Sequence, residues 1–200
     1  MSNPRCQVSG SRCQVLVLAV LLAAFLCFGA DPPRTPGLAA EKKFRYIDEN
    51  GQREHPDPRP TELTEQEVND YLVAGSVRLP AGVESLRLAG TPGVITAHCR
   101  VDFDRIRAGR NNSNPLLGLF SGAHDVDVEA NAAGSNHEGR VHVNLVAIDG
   151  IEVPRFVLEL FVEKFVTPRY PHVGLDSTFA VPDKIDTATV GEHKLVVVQR

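Results

Sequence analysis

The sequence predicts an α+β domain: an antiparallel sheet wet on one face, one long apolar helix against the other, and a short helix ahead of them. Three observations predict it. Period-two alternation marks several strands, a capping box opens the short helix, and a nearly all-apolar run follows Pro154. At 42% hydrophobic and 23% charged residues, the 200-residue chain can bury a core, which excludes wholly disordered or collagen-like classes.

The amino end reads first as an address. Arg5 and Arg12 precede fourteen uninterrupted apolar residues, Val15 to Phe28, followed by Gly29-Ala30 and the break at Asp31-Pro32-Pro33. That order is the pattern of a secretory signal peptide over residues 1–30, and it predicts export to the periplasm or the outer face of the inner membrane. Small-x-small cleavage sites are weak here, so anchoring by residues 15–30 is the other outcome, although a span takes about twenty residues. Without residues 1–30 the chain holds 19 basic and 25 acidic side chains, a net charge near −6, which argues against nucleic acid as a partner. Residues 31–60 carry Pro32, Pro33, Pro36, Pro56, Pro58 and Pro60 around one apolar phrase, Phe44-Arg45-Tyr46-Ile47, and predict a disordered tether ahead of a single domain at 61–200.

Thr64 and Glu67 have capping-box spacing, with Leu63 and Val68 placed for a hydrophobic staple. Val68, Tyr71 and Leu72 form the apolar side of that helix, and Gly75 is its stop. Strands are predicted at Val83–Leu88, Val94–Phe103, Asp125–Ala130, Arg140–Ile148 and Lys194–Val198. Their outward residues complement one another: Thr96, His98, Arg100 and Asp102 against Asp125, Asp127 and Glu129, with Arg140, His142 and Asn144 beside them. Ile95, Ala97, Val101, Val126, Val128, Val141, Val143 and Leu145 form the expected core face. Between strands lies Leu116-Leu117-Gly118-Leu119-Phe120, which must pack inward or stand as an apolar tip.

From Pro154 the run Phe156, Val157, Leu158, Leu160, Phe161, Val162, Phe165 and Val166 leaves Arg155, Glu159 and Glu163 as its polar stripe, so the helix is expected to be enclosed on several sides. The segment Leu79–Leu88 also aligns without gaps with Val181–Val190 at an offset of 102, which points to an internal duplication of a helix, an apolar-Pro approach and a hairpin.

Four phrases resemble exported bacterial proteins related to the tubular lipid-binding superfamily: Thr64-Glu65-Gln66-Glu67-Val68-Asn69, Leu79-Pro80-x-Gly82-Val83, Gly150-Ile151-Glu152-Val153-Pro154, and Phe179-Ala180-Val181-Pro182-x-x-Ile185. The resemblance implies a strongly curved sheet around an apolar tunnel, holding a lipid or another apolar small molecule. Phe156, Leu160, Phe161 and Phe165 would line it, with Leu116, Leu117, Leu119 and Phe120 at its mouth. The alternative is an envelope scaffold or interaction domain with a closed core.

Chemistry is sparse. His124, Asp125, Asp127 and Glu129 are dense in acids, but on a strand His124 faces away from the other three. His98 and His142 share one face and make at best a two-ligand site or the base of a weakly supported enzyme. Cys99 alternates with core residues and reads as packing. No nucleophile elbow, phosphate loop or dinucleotide fingerprint is present, and Asn111-Asn112-Ser113 is a formal glycosylation acceptor. The expectation is therefore a non-enzymatic protein without a catalytic residue, cofactor or metal.

Overall fold

The computed structural model describes residues 37–108, 121–167, 171 and 173–200. Residues 1–30, where a signal peptide or anchor was expected, and Leu116, Leu117, Leu119 and Phe120 lie outside them.

The alternating segments form an antiparallel meander of β2 (Val83–Thr91), β3 (Val94–Asp102), β4 (Ala123–Ser135) and β5 (Glu138–Ile148). Charge pattern and register agree: Thr96 stands opposite Glu129, His98 opposite Asp127 and Arg100 opposite Asp125, while Ala97 meets Val128 and Cys99 meets Val126. Asn136 and His137 form a two-residue turn between β4 and β5, both at positive φ (54° and 61°), and Asp149 and Gly150 (50° and 78°) repeat the pattern into β6 (Ile151–Glu152). Turns of that hand match the natural twist of the flanking strands.

Leu145 departs from the expected core face. A bulge shifts the β4–β5 register, so that Glu129 faces Leu145 while Ala130 faces Val143, and Asn144 is the extra residue. Beyond it the pattern changes phase. Val146 and Ile148 take the apolar side opposite Val128 and Val126, and Leu145 is half-buried across from an acid.

The sheet forks at β4. Its edge pairs with β3 through Asn131 and then, from Ala133 to Ser135, with β8 (Ile185–Gly191). Gly134 permits the junction, because a Cβ there would come within 3.0 Å of the Ala188 Cβ. The second branch continues through β9 (Lys194–Gln199) to β1 (Thr61–Thr64), while β7 (Asp176–Ala180) lies on the far side of β5. The two hairpins β2–β3 and β8–β9 share local geometry at the predicted offset. Val83 N donates to Pro80 O at 3.0 Å and Ile185 N to Pro182 O at 3.1 Å, and bulges fall at Val83/Ser85 and Ile185/Thr187.

Residues 38–51 are helical, where a tether was expected. Helix α1 (Leu38–Gly51) buries Ala40, Phe44, Ile47 and Gly51, a three-to-four-residue spacing that forms one apolar stripe. The Phe44 ring meets Tyr71 of α2 (Glu65–Val73) at 4.8 Å, and Lys43 Nζ bonds Glu67 at 2.7 Å. Residues 38–51 are thus part of the fold.

Helix α2 begins as predicted: Glu67 N donates to Thr64 Oγ1 at 3.2 Å and Thr64 N to Glu67 Oε2 at 2.8 Å. It also covers an edge. Asn69 bonds both Leu88 N and Leu88 O at 2.8 Å, and Glu65 accepts from Gly90 N at 3.1 Å, so side chains take up part of the β2 edge ladder.

The long enclosed helix is not observed. Arg155–Phe161 forms a seven-residue helix, α4, after a short α3 (Phe103–Ala108), and Val162–Val166 continues it as a π-turn. No residue of α4 is buried. Leu158 and Val162 touch the main core, Phe161 touches the Val101–Phe103 cluster, and Val166 is buried. The helix therefore rests on the body by one side rather than running through it.

Candidate functional site

The residues expected to line a tunnel do not converge. Phe156 is 64% and Leu160 39% exposed, four positions apart on the outward side of α4, and Ile151 of β6 is 74% exposed. Phe161 turns the other way, into the cluster of Val101 and Phe103. The Phe165 side chain is outside the described residues, as is the proposed mouth. Arg155, the first residue of α4, fixes the helix to the sheet: its Nη2 meets Asp176 at 3.0 Å, and its Nε meets Glu159 at 3.1 Å.

One apolar cavity of about 60 Å³ lies where α2 meets both hairpins, lined by Leu63, Val68, Leu88, Ile95, Val190 and Leu195, with Glu65 and Lys194 among its walls. Sites for drug-sized molecules occupy about 300–1,000 Å³, so this space suits a methyl group or two rather than an acyl chain.

The polar side of the sheet carries the expected ion pairs. Nδ1 of His98 lies 2.6 Å from Asp127, and Nη1 of Arg100 lies 2.9 Å from Asp125. His142 bonds Asp176 rather than approaching His98, because its register partner on β4 is Asn131, four residues from the Asp127 that faces His98. The hydrogen bond from His142 holds the Asp176 carboxyl below its ordinary value. His124 turns away from the acids of its own strand to bond Asp149 at 2.5 Å, and its other nitrogen meets Ser121 O at 3.1 Å. That partner raises the His124 pKa, and the reciprocal bond lowers that of Asp149. Among the described residues no group of three or more His, Cys, Asp or Glu is placed to hold a metal ion.

Cys99 packs between the two core clusters, and burial, with a smaller contribution from Asp127, pushes its thiol up to about 11. A thiol so disposed is inert at neutral pH.

Two polar centres escaped the sequence reading. Asn50 is fully buried: its Nδ2 bonds Asp57 O at 3.0 Å and Gln199 Oε1 at 2.9 Å, while Asp57 N returns to its Oδ1 at 2.8 Å. Gln199 Nε2 donates to Ile47 O at 2.7 Å and Asp183 O at 2.6 Å. An alternating strand ending in Gln and a helix ending in Asn-Gly were the available signals, but nothing local indicates that they meet. The other centre is Glu65 with His193, bonded at 2.8 Å across the end of the second hairpin. Among the described residues no helix is long and apolar enough to cross a membrane. Comparison with family models, with curated proteins and with solved structures finds no match.

Proposed function

We propose that the protein is a non-enzymatic interaction domain of the cell envelope, exported by its amino-terminal segment, with a closed core and a function carried by its surface. The observation that carries this reading is the position of α4. Among the described residues the most apolar helix packs by Leu158, Phe161 and Val162 and turns Phe156 and Leu160 to solvent, and the apolar cavity between α2 and the hairpins measures about 60 Å³. Export rests on Arg5, Arg12 and Val15–Phe28.

A carrier of an apolar ligand is the competing reading, and the exposed side chains of Phe156 and Leu160, one turn apart on α4, are what favour it. Native mass spectrometry and solvent extraction of the purified full chain, together with a fluorescent fatty-acid probe, separate the two. The interaction reading expects no stoichiometric lipid and no saturable probe binding. Lipid recovered from the wild type and lost from a folded Phe156→Asp variant would overturn it.

A further inference from the structure

The two hairpins meet end to end through reciprocal bonds. Gly93 N, in the turn of the first, donates to Val190 O at 3.0 Å, and His193 N, in the turn of the second, donates to Gly90 O at 2.9 Å. Glu65, the first residue of α2, binds both partners at once. Its backbone N donates to His193 O at 2.8 Å, while its Oε2 accepts from Gly90 N at 3.1 Å and from His193 Nδ1 at 2.8 Å. The small apolar cavity lies under this junction, with Glu65 and Gly90 in its wall.

His193 is the titratable element of the junction. Its Nδ1 faces Glu65 and its Nε2 faces Glu192 at 3.3 Å, so the ring sits between two carboxylates. Only the imidazolium donates to both, since a neutral ring keeps a proton on one nitrogen. The remaining charges do not replace it. Lys194 on β9 turns to Glu62 of β1 at 3.2 Å, and Arg87 on β2 acts on Glu65 through its field rather than through a bond.

We propose that His193 and Glu65 form a pH-operated clasp between the two hairpins, closed while the imidazole carries both protons and loosened when it loses one. The charge environment agrees in sign: hydrogen bonding to Glu65 raises the His193 pKa, and the same bond holds the Glu65 carboxyl below its ordinary value. The clasp's stability is thus fully present below the ordinary histidine value and is lost as pH rises through the raised one. Because the pair is exposed, the effect is modest. It belongs to local opening rather than to global unfolding.

Hydrogen exchange on the full chain reads this directly, through the amides of Glu65, Gly90 and His193, corrected for intrinsic exchange. Their protection is expected to fall by about two- to five-fold between about pH 5.5 and 8.5. The amide of Val143, bonded to Leu175 O in the body of the sheet, should hold steady and serves as the internal control. His193→Gln, a neutral donor, should abolish the pH dependence at the three amides, and Glu65→Gln should do the same while keeping an acceptor for Gly90. Unchanged protection across that range in the wild type, or an undiminished pH dependence in His193→Gln, would overturn the clasp.

Discussion

Cys99 shows how a single side chain's surroundings set its chemistry. With its thiol pushed up to about 11 by burial, iodoacetamide at neutral pH should label the native chain at least about a hundredfold more slowly than the unfolded chain. Equal rates would mean that the thiol is accessible and Cys99 is not a core residue. His124 and Asp149 offer a second measurement at this scale. The histidine's raised pKa gives stability present below about 6.5 and lost as pH rises through the folded value. The carboxylate's lowered pKa gives stability present above about 3.8 and lost as pH falls through its folded value. Their joint contribution is therefore greatest between those limits. Asp149→Asn should flatten the acid and neutral shoulders of a Tm-against-pH curve, and a curve superimposable on the wild type would show that the pair contributes nothing.

Among elements, α1 and α4 each reverse an expectation, and both teach the same lesson about apolar patterning. Ala40, Phe44 and Ile47 lie among charged residues, too few to suggest order from composition, yet they are buried to within a few per cent, with the Phe44 ring against Tyr71 and the Ile47 carbonyl held by Gln199. Phe156 and Leu160 belong to the chain's densest apolar run past the amino end, yet only one side of that run has a sheet to rest on. Local pattern reports what a segment can bury, and only tertiary contacts decide what it does bury. Alternating strands and the capping box were legible because they depend on near neighbours. The fork at β4, the bulge that displaces Leu145, and the meeting of Asn50 with Gln199 depend on residues more than a dozen positions apart. Phe156→Asp should change stability by no more than about 0.5 kcal/mol in urea unfolding, whereas Val166→Asp, at a buried position, should cost about 3 kcal/mol or more. Comparable losses for both would place α4 inside the body after all.

For the whole molecule, residues 38–51, expected in a tether, are a helix that buries its apolar stripe in the domain. A chain starting at Gly37 should unfold in one cooperative transition. One starting at Thr61 loses the cover supplied by Phe44 and Ile47, each worth about 1.5–3 kcal/mol, and leaves the Gln199 amide without two of its partners, enough to unfold a domain of ordinary stability. Near-ultraviolet circular dichroism distinguishes the outcomes, and a native signal from the shorter chain would restore the tether. The same contacts carry a consequence in time. Asn50 meets Gln199 across 149 positions, and β1 pairs with β9, so the first-made helix and strand have no lasting place until the last strand exists. Such long-range closure makes for slow folding. Until β9 is made, α1 and β1 lack the residues that hold them, so a chain halted short of that strand keeps an ordered meander and an unplaced amino-terminal helix.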